Sequence, residues 1–508
     1  MATPPLHRAP ERAIDAAFLA LPYAQLADAA LSRAQSLGAT YADFRFERLR
    51  GHTIVVRDRE LQTSAASEAI GFSVRVICNG AWGFAAGIDL TVDAAAEVAA
   101  RAIDVARTLA PLNTEPVVLA EEPTHTGTYV SSYEIDPFTV SEHEKVEFLT
   151  DLNDRALGSG RIDRVTSHAL LVSEQKFFAS LSGARITQQR VRVDGDLTAV
   201  RIDKATGAFE TMGTATPPAG RGWEYFTTVS GLSAAAAAIP ALLEEKMSSP
   251  SVRPGRYDLV IDPTNLWLTI HESIGHSTEL DRVLGYEANY AGTSFATLDN
   301  LNELQFGSAI MNVTGDRQIE HGLSTIAYDD EGVEAQTWDI IRNGVLVGYQ
   351  LNRQMAQKQG FGRSNGCAFA DAPDHVPLQR MPNVSLRAGA DGKTLEDLIG
   401  GVDRGIYVVG DKSWSIDMQR YNFQFTGQKF FEIRAGKIVG QLKDVAYQSE
   451  TVGFWNALAA LGGPSTYLLG GAFNCGKGQP GQIAPVTHGC PAALFRQINV
   501  LNTAEEGH

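Results

Sequence analysis

The sequence predicts an α+β protein of two domains, an antiparallel sheet with helices followed by a predominantly β half. Three observations carry this. The first hundred residues switch from helical to alternating apolar spacing and back. The second half is a succession of short alternating segments separated by glycine turns. The 508 residues, at roughly 100–200 per domain, need more than one core. With 44% apolar and 20% charged residues, the composition is that of a folded chain rather than a disordered one.

Residues 1–23 are rich in Pro and Ala and read as partly mobile. A helix is expected over 24–36, where Leu and Ala recur at helical spacing and Gly38 ends the run. Strands follow at 42–50, 52–65, 71–80 and 81–87, with Asn79-Gly80 as a hairpin turn and Cys78 at a core position. Helices are expected at 92–109 and 141–157, the latter opened by Ser141 with Glu144 as a capping box. Residues 160–228 alternate again. The Ala-rich stretch 230–247 reads as helix, and SSPSVRPG after it as a boundary or bridge. Beyond it strands are expected in YDLVIDP, STIAYDDEG, WDIIRNGVLVGYQ, GIYVVGD and NFQFTGQKFFEIRAGKIVG. The domains are drawn at 1–229 and 230–508.

Lys plus Arg number 43 against 59 Asp plus Glu, a net charge of −16, and no basic run forms a phosphate-tracking stripe. Nucleic acid is therefore not expected as a partner. No apolar stretch is long enough to span a membrane, and the first residues carry charges where a signal peptide would be apolar, so a soluble, cytoplasmic protein is expected. The four cysteines, Cys78, Cys367, Cys475 and Cys490, are too few and too scattered for a disulfide framework. A special one would be a ligand or nucleophile.

The informative segment is NLWLTIHESIGHSTELDRVLG, residues 265–285, where His271, Glu272 and His276 follow an apolar run. Two imidazoles beside a carboxylate suit a Zn²⁺ hydrolase, in which neutral nitrogens bind the metal and a non-ligand Glu takes a proton from water. Histidines four apart diverge by about 40° around a helix. These are five apart, about 140° on the same geometry, too divergent for one metal. A π-type turn would swing His276 back toward His271, and Gly275 would help the backbone distort. A third ligand must come from elsewhere. In GGAFNCGKGQPGQIAPVTHGCP, residues 470–491, Cys475 reads as lying in a glycine-rich loop where Lys477 favours its thiolate, with Cys490 and His488 as rivals. Cys78 and Cys367 suit packing.

HESIGHSTELD and NCGKGQPGQIAPV, together with GFSVRVICNGAWGFAAG, IAYDDEGVEAQ, IIRNGVLVGYQLNR and RMPNVSL, resemble the TldD/PmbA family, also called TldD/TldE, over nearly the whole chain. These are bacterial and archaeal zinc-dependent proteases that act as pairs of homologous subunits. The resemblance implies His271, His276 and Cys475 as zinc ligands and Glu272 as general base. It further implies a barrel-like C-terminal domain holding the metal helix. It implies a TldD-type catalytic subunit that hydrolyses unfolded or leader-like peptides, paired with a PmbA/TldE-like homologue or with a second copy of itself. Two features depart from the family: CGKGQPGQ is one residue longer than the usual form, and His488 stands where small residues are commoner. Two other functions compete, a non-proteolytic binding or modulating protein with a structural zinc closed by a fourth ligand, and a zinc amidase acting on a modified peptide natural product.

Asp329-Asp330-Glu331-Gly332 reads as a solvated turn rather than a cation loop. Arg380-Met381-Pro382-Asn383 fits a cleft lining or a structural turn equally. Tyr286 and Tyr290 are read as packing, with oxyanion donation the lesser alternative. His52, His125, His143, His168, His321 and His375 have no ligand spacing.

Overall fold

The structure, a computed structural model, describes residues 13–505. The Pro-rich start up to residue 12 lies outside them, but the rest of the segment expected to be mobile is ordered. Asp15 caps the short helix Ala16–Leu19, and the buried Phe18 stacks on Tyr23 at 5.2 Å. The helix Tyr23–Ser36 follows directly.

One seven-stranded sheet dominates the first half. Its order is Ala81–Gly87, Glu60–Cys78, Tyr41–Arg57, Arg164–Ser180, Arg185–Ile202, Thr126–Val130, with Phe209–Gly213 also pairing to Arg185–Ile202. All pairings are antiparallel except that of Thr126–Val130. The sequence reading breaks the first hairpin at Gly51, whereas Tyr41–Arg57 runs straight through it. The reversal comes at Asp58 and Arg59, both at positive φ (50° and 73°). Gly51 instead faces Ser67, whose Oγ a Cβ would meet at 2.7 Å. Asn79-Gly80 does make the next turn, again with both φ positive.

Helices cover one face of this sheet and build two cores. Tyr23–Ser36 and Val92–Leu109 pack Leu26, Val98 and Ile103 onto Phe44, Phe46 and Phe72. Glu142–Leu157, with the expected Ser141–Glu144 capping box, and Leu232–Ser248 pack Leu149, Leu152, Ile239 and Leu243 onto Val193 and Leu197. The helix after residue 229 thus lies on the first sheet, and the chain enters the second half at the strand Gly255–Ile261.

The opposite face of the sheet carries charge. Alternation along the strands puts Arg45, Glu47, Glu174, Lys176, Arg190 and Arg192 there, all buried. Asp329-Asp330-Glu331 is buried against them, which corrects the expectation of a solvated turn. Lys176 Nζ lies 3.0 Å from Asp330 and Arg75 3.1 Å from Glu331. Nor is STIAYDDEG a strand. Side chains take the place of a ladder there: Asn383 accepts from the Ser324 N–H and Gln188 from the Ala327 N–H, each at 3.0 Å.

In the second half five strands close a barrel: Arg404–Ile416, Gly255–Ile261, Ala493–Asn502, Val445–Glu450 and Asn422–Arg434, which pairs back to Arg404–Ile416. The glycine-rich stretch expected as a loop is a hairpin, Leu468–Lys477 with Gln482–Cys490. Between barrel and hairpin lies the helix Pro263–Ile270, buried on every side. Among the described residues no helix is long and apolar enough to cross a membrane.

Candidate metal centre

The site grows out of the end of a barrel strand. After Ile261, Asp262 caps the helix by accepting from the Thr264 N–H, and Pro263 sits at its first turn, where a missing N–H costs nothing. Leu266, Ile270 and Ile274 enter the core, at about 1.5–3 kcal/mol each for full burial. Asn265 fixes the helix's rotation. Its Nδ2 donates to Gly410 O and Thr426 O at 2.9 Å each, and its Oδ1 accepts from Tyr447 at 2.8 Å.

The helix then widens into a π turn over His271–Gly275 and tightens over His276–Thr278. The extra residue brings the rings of His271 and His276 to 4.6 Å between centroids. Side chains serve the carbonyls that the irregular backbone frees. Gln350 donates to Gly275 O at 2.5 Å, Ser277 to Ser273 O at 2.7 Å and Thr278 to Ile274 O at 2.8 Å. Gly275 has ordinary right-handed angles, φ −53° and ψ −61°. Its role is therefore space rather than distortion, because a Cβ would meet Met381 Sδ at 2.5 Å.

His271, His276 and Cys475 offer ligand atoms that lie within 4.8 Å of one another, all buried. Cys475 Sγ is 3.7 Å from His276 Nε2. The thiol sits on the strand Leu468–Lys477 rather than in an exposed loop, and Lys477 is not its activator. Burial alone would raise the Cys475 thiol, but His276 and Arg380 bring it below its ordinary value. Arg380 also donates to Cys475 O at 2.5 Å, which fixes the strand at the ligand. Burial likewise holds both imidazoles below their ordinary pKa. A metal requires its imidazoles neutral, as burial favours here, and its cysteine as the thiolate.

Each ring has an outer partner. His276 Nδ1 donates to Glu279 Oε2 at 2.8 Å. Although burial opposes it, Lys477, His276 and Arg282 hold the Glu279 carboxyl well below the usual range. Lys477 Nζ reaches Glu279, Asp281 and Glu287 at 3.3, 2.8 and 3.0 Å. His271 Nδ1 lies 2.7 Å from His488 Nε2, and His488 Nδ1 lies 2.9 Å from Val384 O. Both His488 nitrogens are thus engaged, Nε2 by the back of His271 and Nδ1 by Val384 O. Cys490 Sγ, with its thiol pushed well up by burial, donates to Pro263 O.

Glu272 faces Arg420, whose Nη1 lies 2.5 Å from Oε2. The tyrosines stay outside this set: Tyr286 lies beside Lys358, and Tyr290 packs against Gly478 at the hairpin turn. Arg380-Met381-Pro382-Asn383 acts as scaffold through the contacts of Arg380, Met381 and Asn383 already given. His52, His125, His168, His321 and His375 bind ordinary neighbours, His168 with Asp196 and His375 with Asp371 among them. Sequence reasoning missed Glu279, Arg420 and the ring contact of His488. The one local signal was Glu279, three residues after His276.

A buried pair of imidazoles on a π turn, converging with a cysteine beside a carboxylate, has the donor set of a metal-dependent hydrolase. The chain belongs to the PmbA/TldD metallopeptidase family: the family's C-terminal domain matches residues 254–502 and its domain 1 matches residues 42–106. A metalloprotease of Methanothermobacter thermautotrophicus is 28% identical over 91% of this chain and 96% of its own. The zinc metalloprotease TldD homolog of Saccharolobus solfataricus is 23% identical over 92% of this chain and 98% of its own. The fold is shared with TldE from Thermococcus kodakarensis, at TM-score 0.70 and 15% identity over 94% of this chain and 99% of that one. It is shared too with a Thermotoga maritima protein described as a candidate modulator of a DNA gyrase, at TM-score 0.73 and 17% identity over 94% and 100%.

Proposed function

We propose that this chain is a zinc-dependent peptidase, the catalytic subunit of a TldD/TldE-like pair, acting in the cytoplasm on unfolded or leader-like peptides. His271, His276 and Cys475 would hold the metal, and Glu272 would act as general base. The observation that carries the reading is the convergence of three ligand atoms within 4.8 Å, each imidazole having its outer nitrogen already engaged. The match to a metallopeptidase family and the zinc named for the Saccharolobus relative support the choice of metal and reaction.

Bound zinc supplies Lewis acidity toward the scissile carbonyl and lowers the pKa of water at the site. Glu272 lies beside the first ligand, where its carboxylate takes the proton of the attacking water and delivers it to the leaving amine. Arg420 orients that carboxylate from the barrel loop. Glu279, tied to Lys477, keeps the proton of His276 on Nδ1 and leaves Nε2 for the metal. A structural zinc would need a fourth protein ligand, and the engagement of His488 and Cys490 elsewhere favours an open catalytic position. Pairing with a homologous chain rests on the family and on the related TldE structure.

Glu272→Gln separates chemistry from binding. The variant should keep its zinc and lose about 10²–10⁴-fold in peptide hydrolysis. Hydrolysis within tenfold of wild type, with zinc bound, would remove Glu272 from the mechanism.

A further inference from the structure

We propose that His488 is a positioning residue for the metal centre: its ring receives the Nδ1 proton of His271 and so presents His271 Nε2, bare, to the cluster. This rests on the metal reading above and goes beyond it, since it assigns a role to a residue outside the proposed ligand set.

Proton accounting along three groups gives the argument. Val384 O can only accept, so the 2.9 Å contact puts a proton on His488 Nδ1. With the ring's one proton given to Val384 O, Nε2 of the fully buried His488 is left as a lone pair. The 2.7 Å contact from His271 Nδ1 then needs the proton on Nδ1 of His271. A neutral His271 has no second proton, and its Nε2 is left as the ligand atom. The reverse tautomer would leave a lone pair facing a lone pair across 2.7 Å and point an N–H at the metal position.

The surroundings hold His488 in this role. Trp267 lies parallel to its ring, 9° between planes at 6.3 Å, one helical turn before His271. The backbone of Gly275 passes close by, and a Cβ there would stand 3.6 Å from His488 Cε1. The two ligand histidines are therefore fixed by different chemistry. A carboxylate backs His276, whereas a neutral ring backs His271. Outer partners of this kind typically set metal affinity within about 10–100-fold.

The test uses the full-length protein and Zn²⁺ alone. His488→Leu removes the acceptor and His488→Gln restores one through Oε1. Chelator competition should show Zn²⁺ binding weakened about 10–100-fold in His488→Leu and closer to wild type in His488→Gln. A purely structural role would lower thermal stability in both variants without separating their affinities. Wild-type affinity in a folded His488→Leu would overturn the proposal. Should that variant fail to fold, ¹⁵N-histidine spectra of the metal-free wild type decide, with His271→Ala supplying the assignment. A proton on Nδ1 of His271 supports the proposal, and a proton on Nε2 refutes it. If His271→Ala itself binds Zn²⁺ as tightly as wild type, the metal reading fails, while the spectra still judge the His271–His488 contact.

Discussion

Two buried polar regions of this chain settle their charges in opposite ways. On the sheet face, Glu174 bonds to Arg190 and Arg192 at 2.6 and 2.9 Å, and Lys176 to Asp330 at 3.0 Å, so that charges there are answered by other protein charges. At the π turn the outer atoms are equally well served, by Glu279 and His488, but the inner atoms of His271, His276 and Cys475 face one another. Burying ionisable groups is expensive in both places. On the sheet face ion pairs offset much of the expense, least completely at Glu47, and fasten the first sheet to the 329–332 segment. At the π turn the buried groups converge on one point, which makes the site a functional candidate.

Mutations in the two regions should have opposite consequences. The largest expected effect is at the inner atoms: His271→Ala, His276→Ala or Cys475→Ala should each weaken zinc binding by about 10³-fold or more and abolish hydrolysis, while thermal unfolding of the metal-free protein changes little. Metal analysis after gel filtration checks this. On the charged sheet face the pattern should reverse. Lys176→Met leaves Glu174 and Asp330 short of a buried cation and should cost about 3–5 kcal/mol in denaturant titrations, with zinc content unchanged.

Glu47 sharpens the same contrast through pH. Burial, only partly opposed by Lys176 and Arg45, pushes its carboxyl up to about 7. The folded state therefore holds a proton that the unfolded chain releases at an ordinary carboxyl pKa, so stability falls as pH rises from about 4.5 to 7. Glu47→Gln removes this one contribution, and its stability relative to wild type should improve by about 3 kcal/mol between pH 4.5 and 8. A constant difference across that range would show that Glu47 titrates normally. The smallest effect is expected at Cys490→Ala, about 1 kcal/mol of packing with no change in bound zinc.

Much of this was legible in the sequence where the signal is local. Period changes place the helices at 92–109 and 141–157, Asn79-Gly80 marks its own turn, and the five-residue histidine spacing suggests the π turn that convergence on one metal would need. What escaped depends on long-range partners. Cys475 and Cys490 share one hairpin, and their difference lies in where Sγ points, which the bulge between Ala472 and Cys475 shapes. His488 reaches His271 across 217 residues and Arg420 reaches Glu272 across 148. Asp329-Asp330-Glu331 looks like a surface turn because its neutralising cations come from strands far earlier in the chain.

In the proposed centre one metal sits on two imidazoles and one thiolate with a position left open. X-ray absorption at the zinc edge of the loaded, full-length protein reads this directly. The expected first shell has one sulfur at about 2.3 Å, two imidazole nitrogens at about 2.0–2.1 Å and a light, non-protein oxygen as the fourth neighbour. A first shell without sulfur, with two sulfurs, or with three imidazoles would contradict it.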